Sequence, residues 1–531
     1  MTRSTGGAPF GPIASVDRAE PGRPERVGVL DLGSNSFHLL VVEVVDGSWE
    51  TVAHQREHLP LADAVHATGR IGPALTERIL GVVGGMVSQA NEHGVARLTA
   101  CATHAFRQAG DSDDVLALVN ERCGVEVDVI SGEREADLVF SAVAASVPLP
   151  SESLVADLGG GSLDLGVGDS GGSRWTVSLP LGAALLTARA RRLEGHTGGS
   201  HPALVAEVLQ GLRSCTDPAP MVEKVVGTGG TLAAVARSYF GRAGLAVPRQ
   251  LNEVRLRRGD IEALAGEAAG MTASQRQRRY DISSRRAALL PAGAAVAAAV
   301  LEWTGVDELT LCDWGLREGL VMSALGLAPV VISPREESVR ALRVRYPVDE
   351  IHAAHVAGVA TELFDRTFLL HHLDRADREL LRYGALLTEI GRAVSAEAYE
   401  KHTASLIEGA PLRGFSPDDI AVLTCLGRYH RGGRPKDDFA PFATLTTERQ
   451  QAATALVALL QVAVALDRSR RAPARRFEVH LKPGHAVLVV HDGASGVDAD
   501  GVAQAARLFE RTFGRRLELE LPSSGRVEVP A

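Results

Sequence analysis

The chain has 531 residues, of which 45% are apolar and 23% charged, and its formal net charge is −9. At roughly 100–200 residues per domain there is room for three or four domains, and the balance excludes wholesale disorder, collagen and a disulfide mini-scaffold. The acidic balance argues against a generic nucleic-acid binder, which is usually basic. Cys101, Cys123, Cys215, Cys312 and Cys425 are scattered and form no C-x-x-C pair. That fits a reducing cytoplasm and argues against a zinc ribbon or a disulfide framework.

Residues 1–25 carry Pro, Gly and charge where a signal peptide needs an apolar core, and read as a disordered lead-in. Val27–Val45 then reads as strand, tight turn, strand, with Asp, Gly, Ser and Asn between β-branched and apolar flanks. The pattern returns near position 154 as LVADLGGGSLDLGVGD. A third Gly-rich turn follows a short strand in KVVGTGGTLAA (224–234) and leads into a helix. Two hairpins of one design predict two similar α/β lobes facing each other, over residues 26–147 and 148–330. The Ala-rich run Ala287–Leu301 contains Pro291 and is too short and too weakly apolar to span a bilayer, so it reads as a buried helix.

From 331 to 475 the pattern is helical, as in the spacing of Ile351, Val356, Val359 and Leu363. The tail, 476–531, reads strand, strand, helix, strand: a small α/β domain.

The turns suggest the chemistry. Gly, Ser and Asn between two strands leave backbone N–H groups free to converge on a phosphate oxygen. The candidates are Gly33, Ser34, Asn35 and Ser36 in the first turn, Gly159, Gly160, Gly161 and Ser162 in the second, and Gly229, Gly230 and Thr231 in the third. Asp31 and Asp157, each ending the strand before a turn, offer hard oxygens to Mg²⁺ or Mn²⁺. Each turn alone is the chemistry of an ordinary hairpin; the three in this order predict a two-lobed phosphate-binding fold.

The arrangement resembles the actin/hexokinase/Hsp70 superfamily and, within it, the exopolyphosphatase/guanosine pentaphosphate phosphohydrolase family. The stretches that carry the resemblance include DLGSNSFHLLV (31–41), THAFRQA (103–109), ISGEREADLVF (130–140), LVADLGGGSLDL (154–165), GTGGTLAA (227–234) and DWGLREGL (313–320). It extends over about residues 26–520 and implies two actin-like (ribonuclease H-like) lobes, an all-α HD-like domain and a small C-terminal α/β domain. It also implies that Glu135 of ISGEREA is the general base and that Arg107 of THAFRQA contacts phosphate. A guanidinium can grip phosphate through two parallel hydrogen bonds. From the residues alone, Glu135 could equally be a solvated carboxylate at a helix start, and Arg107 an exposed helix residue.

The chain departs from the family pattern at three places. Arg134 replaces a second acid, which adds positive charge near a polyanion or is a surface change. Leu163-Asp164 stand where the family has Thr-Glu, so an acid that positions water or metal is retracted by one methylene. In the helical domain His352 fits the first ligand of an HD-type metal site, but Thr388-Glu389 replaces the His-Asp pair. A scaffold without metal is expected there, with His402 and His430 matching other family histidines, and with His355, His371 and His372 on the surface. Two arginine-rich stretches, Arg276, Arg278, Arg279, Arg285 and Arg286, then Arg468, Arg470, Arg471, Arg475 and Arg476, read as solvated faces or, if they converge, as a track for a long polyanion.

The leading expectation is therefore a cytoplasmic, Mg²⁺- or Mn²⁺-dependent exopolyphosphatase with inorganic polyphosphate as substrate and guanosine pentaphosphate as a second one, with catalytic Glu135, Asp164 and Arg107. No specific nucleic acid and no membrane are expected as partners. Long members of the family are often homodimers, but no interface pattern is legible. An actin-like ATPase or kinase, and a non-catalytic polyphosphate or nucleotide-binding regulator, remain as alternatives.

Overall fold

The computed structural model describes residues 25–45, 48–150, 152–194, 201–216, 219–327, 333–470, 476–491, 497–521 and 524–527. The expected lead-in, up to residue 24, and Arg471 and Arg475 lie outside the described residues. The chain divides into two compact units, one ending at Pro334 and one beginning at Arg335.

The first unit contains two sheets of the same design. Strands β1 (Arg26–Leu32), β2 (Ser36–Val45), β3 (Ser48–His58), β4 (Arg97–Ala102) and β5 (Val127–Val129) form one sheet in the order β3-β2-β1-β4-β5. The hairpin pairs are antiparallel and β1-β4-β5 is parallel. Strands β6 (Ser153–Leu158), β7 (Leu163–Asp169), β8 (Gly172–Leu179), β9 (Lys224–Thr228), β10 (Arg255–Arg257) and β11 (Glu308–Leu311) form the second, in the order β10-β11-β9-β6-β7-β8. Reading β8-β7-β6-β9-β11 against β3-β2-β1-β4-β5 gives the same order and the same directions. These are the two ribonuclease H-like lobes of the actin-like fold.

Each lobe has its own core. In the first, Leu30, Leu32 and Phe37 pack with Ile79, Val83 and Phe106. In the second, the Ala-rich helix Ser284–Thr304 runs through a core that includes Leu154, Leu165 and Val225. A further cluster joins the lobes: Val29 and Cys101 from the first sheet meet Val155 and Val226 from the second through Leu138, Val139 and Val143 of the helix Gly132–Ala144. That helix begins at Ser131, whose hydroxyl accepts from the Arg134 N–H at 3.2 Å. Its first turn carries Glu133 and Glu135, as the helix dipole favours. Glu135 lies three, four and seven residues before Leu138, Val139 and Ala142, so it sits on the buried stripe. A Cβ on Gly132 would stand 2.3 Å from the Cβ of Ser178 on β8, so only glycine lets the helix start this close to the second lobe.

The second unit is helical from Arg335 to Leu466, and its core includes Val356, Val359, Leu363, Leu423 and Leu459. Ile351, expected among the apolar positions, is instead 77% exposed in the first turn of its helix. The unit closes with a sheet of β12 (Phe477–Lys482), β13 (His485–Val490), β14 (Arg516–Leu521) and β15 (Ser524–Val527), in that order, with the helix Ala499–Phe513 between β13 and β14. The last strand adds to the expected strand, strand, helix, strand. Two helices, Ser284–Thr304 and Thr447–Leu466, are long and apolar enough to cross a membrane by composition, and both are mostly buried.

His355 is not a surface residue, contrary to expectation. Its Nδ1 and that of His352 both bond the fully buried Asp467 Oδ2 at 2.9 Å. His371 is half-buried, with Nε2 on the Phe364 carbonyl at 3.0 Å, whereas His372 is exposed. The two histidine bonds hold the Asp467 carboxyl well below the usual carboxylate range, despite the opposing effect of its burial.

Two outcomes follow for stability. Gly132→Ala should destabilise the first unit by about 1–3 kcal/mol in urea titrations, because β8 cannot yield to a new methyl group. Asp467→Asn should cost about 1–3 kcal/mol at neutral pH. Because its folded pKa is depressed, the wild-type advantage is full above about pH 4 and should shrink as pH falls below it. Calorimetry of both proteins across that range checks the sign.

Candidate active site

The strands β1 and β6 each carry an aspartate one residue before their end, Asp31 and Asp157, and the turns that follow open on one cavity of about 380 Å³. The first turn lines it with Gly33, Ser34, Asn35 and Ser36, and the second with Gly159, Gly160, Gly161 and Ser162. Gly229, Gly230 and Thr231 complete the lining from the turn that starts the helix Gly230–Ala243. The N–H groups of Gly33, Ser34, Asn35, Gly160 and Gly161 have no backbone acceptor among the described residues. The carbonyls of Gly159 and Gly160 are committed, each accepting at 3.0 Å from Ala183 and Ala184 at the start of the next helix. A Cβ on Gly182 would lie 2.3 Å from the Gly161 carbonyl carbon, so glycine is needed for that seat. Donors without acceptors, held by turns without slack, are a nest for phosphate oxygens.

Asp31, Asp157 and Glu135 share this cavity. Burial pushes Asp31 up to about 6, opposed by Arg317. Burial, then Asp164 and Asp31, push Asp157 up to about 7. Glu135 is also pushed up to about 7 by burial, against the pull of Arg107. Arg56, Arg285, Arg286 and Arg317, with His38 and His54, line the same cavity. Arg286 Nη1 reaches Thr231 Oγ1 at 3.3 Å, and Arg317 Nη1 reaches His54 Nε2 at 2.7 Å. Burial first, and Arg317 next, hold His38 far below its ordinary pKa and therefore neutral.

Two residues expected at the site do not line the cavity. Arg107 is neither an exposed helix residue nor a cavity wall; its Nη1 bonds Glu135 Oε2 at 2.8 Å and the Ile130 carbonyl at 2.9 Å. It therefore fixes Glu135. Asp164 is buried directly across the ladder from Asp157, and its Oδ2 accepts from Ser162 Oγ at 2.8 Å. Burial, then the charge of Glu135, push it up to about 8. Arg134 turns to Asp137, at 2.6 Å, and Leu163 is core.

The first arginine stretch does not act as one face. Arg276 is buried and donates to the Met271 and Ala287 carbonyls, Arg278 and Arg279 are exposed, and Arg285 and Arg286 line the cavity.

His38, His54, Arg56 and Arg317 escaped sequence reasoning, although signals were there. His38 follows Asp31 by the seven residues that separate Asp164 from Asp157, and pairs with Asp31 across its hairpin as Asp164 does with Asp157. His54, Arg56 and His58 alternate along β3 and so share one face.

Asp31 Oδ1 is buried with no hydrogen-bond partner among the described residues, and Asp157 faces the same cavity. This donor set fits a hard divalent cation. Among the described residues no three His, Cys, Asp or Glu side chains converge as a ready-made cage. That suits an ion such as Mg²⁺, which takes one or two carboxylates and completes its shell with water and substrate oxygens.

Comparison with known proteins agrees with this geometry. The model of the Ppx/GppA phosphatase family matches residues 40–328, and that of Ppx/GppA phosphatase domain III matches residues 334–491. The crystal structure of the Aquifex aeolicus Ppx/GppA family member is 27% identical, with a TM-score of 0.52 over 57% of this chain and 98% of that one. A second structure of the Aquifex aeolicus enzyme is 28% identical, with a TM-score of 0.51 over 57% and 100%. An exopolyphosphatase from Cytophaga hutchinsonii shares the fold at 22% identity, with a TM-score of 0.52 over 57% and 99%. With its two lobes, its phosphate turns and both family regions accounted for, the chain belongs to the Ppx/GppA phosphatase family.

Proposed function

We propose that the protein is a cytoplasmic exopolyphosphatase that hydrolyses the terminal phosphoanhydride of inorganic polyphosphate and releases orthophosphate, with guanosine pentaphosphate as a second substrate entering by its phosphate end. The observation that carries this reading is the cavity itself: three donor-rich turns, a buried carboxylate and four arginines around one space. No Phe, Tyr or Trp is among the described residues that line it, whereas all three turns and four arginines present donors for phosphate oxygens, so the phosphates are what it grips. This favours a phosphate chain over an ATPase or kinase substrate.

The chemistry divides among named groups. Turn N–H groups hold the oxygens of the terminal phosphoryl group, where charge develops as the bond breaks. Arg56, Arg285, Arg286 and Arg317 offset the charge of the chain behind it. Glu135 orients the attacking water and accepts its proton, and Arg107 fixes Glu135 in place. Asp164 acts through Asp157, whose ionisation its neighbouring carboxyl disfavours. Asp31 and Asp157 would hold a divalent cation, which when bound supplies positive charge at the phosphoryl oxygens.

Glu135→Gln keeps the shape but cannot take the proton. Phosphate release from a defined-length polyphosphate should fall by about 10²–10⁴-fold while the substrate still binds. Wild-type-like release would remove Glu135 from this role. Release should also depend on Mg²⁺ or Mn²⁺ and fall about 100-fold in Asp157→Asn; full activity in excess chelator would show that no cation takes part.

A further inference from the structure

The second unit holds a small polar pocket of about 110 Å³, lined by His352 and Glu389, two residues that stand at HD-type ligand positions in the sequence. The candidate ligands are already taken. His352 bonds Asp467, and Glu389 is gripped by Arg392 at 2.9 Å and by Arg470. Four arginines line the pocket, Arg392, Arg431, Arg468 and Arg470, against one lining carboxylate, Glu389. Their bonds are few: Arg431 meets Glu400 at 3.2 Å and Arg468 meets Asp498 at 2.8 Å. A guanidinium has five N–H donors, so each retains donors for a ligand. Arg392 and Arg431 are also seated over the Tyr399 ring, at 4.3 and 4.9 Å from its centroid, which holds them in place.

His430 gives the pocket its selectivity. It is 1% exposed and lines the pocket. Its Nδ1 lies 2.8 Å from the Gly427 carbonyl, and a carbonyl can only accept, so Nδ1 carries the proton. Burial pushes the ring down to about 4, so it is neutral at pH 7 and Nε2 bears a lone pair. Nε2 is buried and has no partner among the described residues. An unfilled acceptor beside a surplus of cationic donors asks for an anion that itself carries a proton.

We propose that this pocket binds a protonated phosphoryl group, its oxygens held by Arg392, Arg431, Arg468 and Arg470 and its P–O–H donating to His430 Nε2. Orthophosphate at neutral pH satisfies this, as does the protonated end of a phosphate chain. Sulfate matches the charge and shape but has no proton to donate. At about 110 Å³ the pocket holds one phosphoryl group and not a whole nucleotide, whose pockets run to about 300 Å³ or more. The site lies wholly in the second unit, and its argument does not rest on the reaction proposed above.

Hydrogen–deuterium exchange of the full-length protein tests it, read on peptides spanning residues 389–400 and 427–433. Titration with orthophosphate, or with methylenediphosphonate as an uncleavable chain end, should slow exchange there, and the stronger of the two identifies the source. Sulfate at matched ionic strength should not. Arg468→Gln, at a half-exposed position that tolerates the change, should raise the half-saturating concentration about tenfold. Arg431→Gln is the second variant should that one bind normally. The proposal is overturned by no protection from either ligand, by equal protection from sulfate, or by protection unchanged in both variants.

Discussion

Like charges buried at one place define this molecule. Asp31, Glu135 and Asp157 share a cavity, with Asp164 behind them, and burial raises the pKa of each. A protein keeps such an arrangement only if something opposes the repulsion. Here Arg107 bonds Glu135, and Arg56, Arg285, Arg286 and Arg317 line the same cavity. In the function proposed, a polyanion with a cation would join this balance on both sides, meeting arginines with its charge and carboxylates through the metal. The geometry needs two rigid lobes with a shared core, which the helix Gly132–Ala144 provides by packing on both sheets and carrying Glu135 on its buried stripe.

Much of this was legible in the sequence because it was local. The hairpins announce themselves through turn residues between β-branched runs, and their repetition announces the second lobe. Glu135 lies on an apolar helical stripe, a position where a carboxylate needs a reason. The role of Arg107 was not legible, because its bond to Glu135 spans 28 residues and depends on where β4 ends relative to the crossing helix. The position of Asp164 away from the cavity lining was not legible for the same kind of reason: strand pairing sets it across from Asp157, where its carboxylate accepts from Ser162. His38 could have been found from the seven-residue spacing shared by both hairpins, and the basic row on β3 from its period of two.

In the second unit the residues that resemble an HD-type metal set bond to each other and to arginines. His352 and Asp467 are bonded to each other, and the buried Glu389 is paired with Arg392 and Arg470. His355 joined Asp467 because it lies one turn from His352, a neighbourhood that a surface reading of the sequence misses.

The central claim is that water attacks the terminal phosphorus of a phosphate chain in the cleft between the two lobes. Incubation with a defined-length polyphosphate and Mg²⁺ in ¹⁸O-labelled water tests this most directly. Mass spectrometry should find one ¹⁸O in each orthophosphate released and a remaining chain shorter by one unlabelled unit. Failure to release orthophosphate, or release of orthophosphate without label, would contradict hydrolysis at the terminal group and return the cleft to binding or to phosphoryl transfer.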